Sequence, residues 1–463
     1  MTKTRHGVGD FGFRDKVGYL FGDFGNDFTF LLSSSFLLKF YTDVMGIAPW
    51  IVGVIMTVSR FVDAFTDVTM GRICDRSRQS EAGKFKPWIL RMSGPVAIAS
   101  FLIYQSSLAN MSTAFKVVWL FVTYILWGSV FYTSINIPYG SMASAITGNH
   151  EERQSLSTFR SMGSALAGLI VGAGVPLFAY DTVNGATVLN GTRFTVIAGI
   201  FSVLSIVCYL LCYFLCTERI ERKVERENRG SILSLLKRAV KSPALLSIIA
   251  ASVVMLLSQL TLQSMSNYVY PNYYGNVEAQ SASTVVMVLS LFVAAAVAKP
   301  LSRRFGKAEI STVSSLLAAA VSFVLFLWRP ESVWVYVAVN AVAWLGLGVF
   351  TMVSWALITD VIDDAEIRHG VREDGSIYAL YSFARKLGQA AAAGISGALL
   401  SLIGYNEGSA FLPSVVKGIY NISTLVPSLG FLVLGLILWF WYPLKRKKVL
   451  ENGRILEERH GKT

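Results

Sequence analysis

Long apolar runs recur through the whole 463-residue chain, and nothing else in the sequence restricts its fold as strongly. Twelve can be marked off: 17–43, 49–74, 87–108, 116–146, 157–180, 195–217, 243–272, 281–301, 308–328, 332–359, 376–403 and 413–441. About 20 apolar residues cross the bilayer hydrocarbon as a helix. A helix also satisfies its own backbone donors and acceptors, which lipid cannot do. Charged residues make up 15% of the chain, against about 25% in a soluble domain. The expectation is an all-α membrane protein with twelve transmembrane helices in two six-helix bundles.

The division into halves comes from one long charged interruption, "TERIERKVERENRGSILSLLKRAVKSP" at 217–243. It gives an N-terminal bundle over 1–217, a cytoplasmic linker over 218–242 with a short amphipathic surface helix, a C-terminal bundle over 243–441 and a basic tail over 442–463. Placing the N-terminus in the cytoplasm puts 29 of the 41 Lys and Arg residues in cytoplasmic segments. The opposite face keeps only Lys116, Arg193, Arg329 and Lys417, so the positive-inside rule sets both termini in the cytoplasm. The net charge of +12 is explained by those loops and does not indicate nucleic acid. "KRKK" at 445–448 adds attraction to anionic lipid headgroups. No short apolar stretch with a small-residue cleavage site precedes the first span, so that span is read as the insertion signal. Cys208, Cys212 and Cys216 form one stripe on one helix, read as packing or lipid-facing surface, and no disulfide framework is implied.

The halves echo each other. "GRICDRSR" after the second span has a counterpart in "LSRRFGK" after the eighth, and "AITGNHEERQSLSTFR" resembles "LITDVIDDAEIRHG…YSFARK" in the second half. Paired halves are the plan of a rocker-type secondary transporter with a mid-membrane site. The run Gly71 to Arg76 has the pattern G-x-x-x-D-R, which resembles the loop signature of the major facilitator superfamily. Gly71 is read as allowing close helix approach, with Asp75 and Arg76 completing a conformational latch.

An uncompensated charge at the bilayer centre costs about 2.5–3.5 kcal/mol on insertion scales, so ionisable residues within spans are functional candidates. They are Asp23, Asp27 and Lys39 in span 1, Arg60, Asp63 and Asp67 in span 2, Arg160 in span 5, and Arg385 and Lys386 in span 11. Asp63 and Asp67 are four residues apart and share one helix face. Two carboxylates in low dielectric require a shared proton or a cation, so the pair is a proton site or a candidate Na+ site. The alternative is that Arg60 and Lys386 neutralise them as structural ion pairs. Asp23 is read as near-interfacial. Asp27, flanked by Asn26, suits sugar hydroxyls, with Arg160 offering a fork of donors; the alternative makes Asp27 a structural partner of Arg160. The four histidines lie in loops or tails, so any proton rides on carboxylates.

Span 4 carries "LWGSVFYTSINIPYGS", 126–141. Trp127, Tyr132 and Tyr139 supply flat faces, Thr133, Ser134 and Asn136 neutral hydrogen bonds, and Pro138 a helix break. Tyr132, one turn before Asn136, is the aromatic assigned to the site, and Trp355 in span 10 joins it as a candidate substrate contact. No phosphate loop, zinc spacing or nucleophile–base motif is present, which argues against an enzyme.

"GYLFGDFGNDF", "YTDVMGI", "SRFVDAFTDVTMGRICDRSR", "GKFKPWIL", "NIPYGS" and "LITDVIDDAE" resemble the glycoside–pentoside–hexuronide:cation symporters, typified by the melibiose permease, over the whole chain. The resemblance implies a major facilitator fold and uptake of a sugar coupled to Na+, Li+ or H+. It places the family's two cation carboxylates on Asp63 and Asp67, its ion-ligating threonine on Thr133, its span-11 lysine on Lys386, its sugar carboxylate on Asp27 and its span-5 arginine on Arg160. Three positions depart from the type. Asn136 stands where aspartate binds sugar, Gly140 replaces a tryptophan, and Thr66 replaces an asparagine at the cation site, a substitution that favours protons.

The expectation is thus a sugar:cation symporter of the bacterial inner membrane, working as a monomer by alternating access, with no cofactor beyond the coupling ion. A carrier of an amphiphilic lipid-like substrate would need an apolar site, which Asp27, Asn136 and Arg160 oppose. A non-transporting membrane sensor would not need Asp63 and Asp67.

Overall fold

The computed structural model describes residues 3–4, 10–77, 79–221, 242–369 and 374–460. Its long helices are α1 (Phe13–Asp43), α2 (Pro49–Arg76), α3 (Lys86–Ile103), α4 (Thr113–Ile146), α5 (Glu151–Ala179), α6 (Gly191–Leu215), α7 (Pro243–Tyr273), α8 (Val277–Phe305), α9 (Lys307–Trp328), α10 (Val333–His369), α11 (Asp374–Leu402) and α12 (Pro413–Trp441). The C-terminal segment adds α13 (Arg446–His460). Side-chain caps mark many of the starts: Ser112, Asn149, Asn190, Ser242 and Asn276 each accept a backbone N–H from the first turn. Proline occupies the first helical positions of α2, α3, α7 and α12, where its missing N–H costs nothing. Gly306 alone joins α8 to α9, and its φ of +103° is a conformation that disfavours any side chain.

Eight of these helices, α4 to α10 and α12, are long and apolar enough to cross a membrane, among the described residues. α3 is not among them, nor are α1, α2 and α11. The last three carry most of the ionisable residues singled out above, and those residues lower the hydropathy by which a span is recognised. Large apolar side chains such as Phe65, Phe178, Phe292 and Phe440 stand exposed on the surface, as a hydrocarbon solvent requires.

The only strands among the described residues are short. β1 (Lys3–Thr4) pairs antiparallel with β4 (Ile220–Glu221), and β2 (Tyr180–Val183) with β3 (Ala186–Leu189). The second pair is a hairpin turned by Asn184 and Gly185, both at positive φ, as a two-residue primed turn needs.

The chain forms two units, Met1–Glu227 with Leu400–Phe411, and Asn228–Leu399 with Leu412–Thr463. In the first, α1 packs between α5 and α6, α3 against α4 and α6, and α2 against α4. Close approach around α1 depends on residues without side chains. A Cβ on Gly18 would meet Cys216 Sγ at 2.9 Å, one on Gly22 Cys212 Sγ at 3.0 Å, and one on Gly25 Cys208 Cβ at 3.0 Å. The cysteine stripe is therefore packing surface, seated on a glycine stripe of α1. On its other side, a Cβ at Gly163 of α5 would lie 2.4 Å from the Leu20 carbonyl oxygen.

The segment 217–221 belongs to this unit and is not solvated linker. Buried Glu218 accepts the backbone N–H groups of Lys84, Phe85 and Lys86 at 2.7, 2.9 and 2.8 Å, which caps the start of α3. Arg219 pairs with buried Asp15 at 2.9 Å and gives its N–H to the Ala145 carbonyl at 2.7 Å. Residues 222–241 of the expected linker lie outside the described residues. On the Leu400–Phe411 side, Lys39, 1% exposed, pairs with Asp43 at 2.7 Å and bonds Tyr405 Oη at 2.9 Å.

In the second unit α7 packs on α12, α9 on α10 and α12, and α8 on α10. Each of these repeats a pairing of the first unit, moved on by six helices. Its core gathers Trp344, Phe350, Tyr381 and Phe431. The basic tail is helical and docked, with Asn452 of α13 bonding Asp364 of α10 at 3.2 Å.

Gly163→Val is expected to destabilise the protein by about 1–3 kcal/mol, since backbone cannot move aside as a side chain can. Gly94→Ala, with open space at its Cβ, should be neutral or stabilising by up to about 1 kcal/mol. Thermal melting of the two purified variants in detergent measures both.

Candidate functional site

The in-span aspartates of α1 and α2 each meet a partner within the first unit. α4 is widened by a π-helical stretch, Leu126–Tyr132, an irregularity often found at functional positions. It carries Ser129 and Thr133, four residues apart, onto α2, where Asp63 and Asp67 are also four apart. Ser129 donates to Asp63 Oδ1 at 2.5 Å and Thr133 to Asp67 Oδ1 at 3.0 Å, two parallel hydroxyl–carboxylate rungs. Arg60 reaches the other oxygen of Asp63 at 3.3 Å. Its guanidinium lies 5.1 Å from the Phe30 ring, which stacks on Tyr132 at 5.7 Å, and Tyr132 meets Trp127 at 5.6 Å. Trp127 itself is buried and serves as backing. Thr66 donates to its own helix, at Val62 O and Asp63 O, so only its lone pairs face other groups.

A second polar group gathers on α1, α4, α5 and α6. Arg160 pairs with Asp23 at 3.0 Å and lies over the Tyr139 ring at 5.3 Å. Tyr139 stacks on Tyr19 at 4.6 Å and donates to the Tyr19 carbonyl at 2.6 Å. Asp27 accepts a hydrogen bond from Ser164. Asn26 links both sides, donating to Asn136 Oδ1 at 3.4 Å and accepting from Tyr209 Oη at 2.9 Å. Gly140 faces open space.

Two expectations change. Asp23 is buried, 7% exposed, and takes the Arg160 partner that the alternative reading gave to Asp27, whose carboxylate accepts instead from the Ser164 hydroxyl. Gly71 does not mark a close helix approach, since no described atom lies within 4 Å of where its Cβ would be. Arg76 is exposed at the end of α2, and the side chain of Asp75 lies outside the described residues. Lys386 and Trp355 belong to the second unit. Lys386 lies exposed on α11 and Trp355 packs edge-on against Tyr381 at 5.1 Å, with the Arg385 guanidinium 5.5 Å from its ring. Ser59, Ser129, Ser164 and Tyr209 are polar contacts that the sequence reading had not assigned. For Ser129 the signal was available: it stands as far before Thr133 as Asp63 stands before Asp67.

Known proteins place this arrangement in context. The MFS/sugar transport protein family matches residues 18–446. An uncharacterized symporter of Bacillus subtilis (strain 168), YjmB, is 30% identical over 97% of this chain and 96% of its own. A glucuronide carrier protein homolog of Escherichia coli (strain K12) is 32% identical over 95% of this chain and 94% of its own. Among solved structures, a bacterial homolog of the human lysosomal transporter Spinster superposes with a TM-score of 0.70 at 12% identity, over 96% of this chain and 99% of that one. A D-xylose–proton symporter superposes with 0.62 at 11% identity, over 93% and 97%. These structural likenesses establish the fold, an all-α polytopic membrane protein of major facilitator type. The chain belongs to the MFS/sugar transport protein family, as an ion-coupled secondary transporter of the bacterial inner membrane and not an enzyme.

Proposed function

We propose that the protein is a sugar or glycoside importer of the glycoside–pentoside–hexuronide:cation type, with twelve spans in two six-helix bundles and H+ or Na+ as coupling ion. The observation that carries this reading is the pair of rungs Asp63–Ser129 and Asp67–Thr133, placed on helices adjoining the polar group around Asp23, Asn26, Asp27, Asn136 and Arg160. Asp63 and Asp67 take the coupling ion, with Thr133 and the lone pairs of Thr66 as further oxygens and Lys386 as the basic group that replaces the ion between steps. Asp27, Asn26, Asn136 and Arg160 bind sugar hydroxyls, and Tyr132 and Trp355 supply aromatic faces. Asp75 and Arg76 act as the cytoplasmic latch.

The names of related proteins agree with a polar, hydroxylated substrate. Besides the glucuronide carrier homolog, a protein 29% identical over 96% of the chain is an isoprimeverose transporter of Lactiplantibacillus pentosus. By linkage, a cation that raises sugar affinity has its own affinity raised by the same factor. Asp63→Asn combined with Asp67→Asn is expected to abolish concentrative uptake. The measurement is a panel of radiolabelled sugars in proteoliposomes under imposed Na+ or H+ gradients; accumulation against a gradient by the double variant rejects the coupling assignment.

The Asp23–Arg160 pair yields a separate expectation. Arg160→Gln leaves a buried carboxylate with a weaker partner, a loss of the order of 3 kcal/mol in stability. Adding Asp23→Asn should recover much of the melting temperature without recovering sugar binding. Recovery of binding along with stability would make the pair structural only.

A further inference from the structure

The two rungs between α2 and α4 are alike in construction but not in what has been assigned to them. Thr133 stands to Asp67 as Ser129 stands to Asp63. Both hydroxyls are buried, at 3% and 1% exposure, and both donate to a carboxylate oxygen of α2. Ser129, like Thr133, has a second place for its hydrogen. The Ser59 carbonyl lies 3.5 Å from its Oγ, and Ser59 Oγ, also buried, lies 3.5 Å away. A Cβ added at neighbouring Gly128 would stand 3.7 Å from Asp63 Oδ1 and 3.8 Å from Ser59 Oγ, so the α4 backbone lies close over α2 here.

A hydroxyl carries one hydrogen and two lone pairs, and it rotates freely. While Ser129 donates to Asp63, its lone pairs point elsewhere. When the hydrogen turns toward Ser59, the oxygen can face a cation held by Asp63. The Thr133 hydroxyl has the same option, with the Gly128 carbonyl at 3.3 Å as its alternative acceptor. Each rung therefore converts from a hydrogen bond to a pair of ligating oxygens without moving a backbone atom. A proton on a carboxylate needs no such oxygens. A small hard cation takes several oxygen ligands at once.

We propose that Ser129, backed by Ser59, is a further residue of the cation site, and that its rung makes the site selective for a small alkali cation, Na+ or Li+. This rests on reading Asp63 and Asp67 as the coupling pair. Ser129 brings the set to five side-chain oxygen carriers, the carboxylates of Asp63 and Asp67 and the hydroxyls of Thr66, Thr133 and Ser129, drawn from two helices. Arg60 on the far oxygen of Asp63 holds that carboxylate in place while the hydroxyl turns.

Sodium itself is the probe. The purified full-length protein is melted in a series of NaCl and LiCl concentrations at constant ionic strength, balanced with choline chloride, because a ligand that binds only the folded state raises the melting temperature. Wild type is expected to show a saturable rise with Na+ or Li+. Ser129→Ala should melt within a few degrees of wild type in choline chloride yet need about tenfold more Na+ for half of the rise. Ser129→Thr, which keeps the hydroxyl, should stay within about twofold of wild type. An unchanged half-saturation in Ser129→Ala, or a loss equal in choline and sodium, makes Ser129 a structural contact and overturns the proposal. A wild type with no Na+ or Li+ response also overturns it, and leaves the coupling role of Asp63 and Asp67 to be judged by proton-driven uptake in the double asparagine variant.

Discussion

Carboxylates carried into hydrocarbon must find donors inside their own helical unit, because the solvent around the unit offers none. An unmatched charge at the bilayer centre costs about 2.5–3.5 kcal/mol, and a hydrogen bond to a charged group returns about 1.5–3 kcal/mol. One partner per carboxylate roughly balances the account and leaves little over. The structure provides at least this. Asp23 has Arg160, Asp27 has Ser164, Asp67 has Thr133, and Asp63 has Ser129 with Arg60. Hydroxyl partners suit groups that must also accept an ion, since a hydroxyl can give up its hydrogen bond and turn its oxygen to the newcomer.

Such contacts demand close helices, and the packing of α1 shows how closeness is achieved. Asp23 and Asp27 can meet α5 only because Gly163 removes the side chain that would hold the two helices apart. On the opposite side the glycines at 18, 22 and 25 receive the Cys216, Cys212 and Cys208 stripe of α6. The cysteines fill narrow gaps between backbones and are buried. The cysteines recur every four residues and the glycines they face at intervals of four and three, so each set keeps to one helix face. The cytoplasmic ends are tied in the same unit by Asp15 with Arg219 and by Glu218 under the start of α3.

The course of the helices and the pairing of Asp63 with Asp67 were legible because both follow from periodicity, which a sequence displays directly. Thr133 was reached through resemblance, and its contact with Asp67 is where the sequence reading placed the ion. Ser129 was passed over, although it stands four residues before Thr133, because serine within a span commonly bonds its own helix. The pairing of Arg160 with Asp23 was not read from the sequence, because spacing along one helix does not show which of Asp23 and Asp27 a residue of another helix reaches. Glu218 was read as linker because a charged run looks solvated; its burial depends on three N–H groups far away in sequence. The hairpin at 180–189 was not read from the sequence, although its turn residues Asn184 and Gly185 are visible there.

In the proposed reading, α4 is where ion and sugar meet. It carries Ser129 and Thr133 toward the coupling pair, then Asn136 to Asn26, which precedes Asp27, and then Tyr139 beneath the Arg160 guanidinium. An ion entering between Asp63 and Asp67 turns the hydroxyls of α4 and releases the hydrogen bonds that tie α4 to α2. Whatever rotation that allows is felt one turn later at Asn136, on the same rigid element. The sugar residues and the ion residues are then coupled through one helix and not through a chain of distant contacts. That is a physical route by which each ligand changes the affinity of the other.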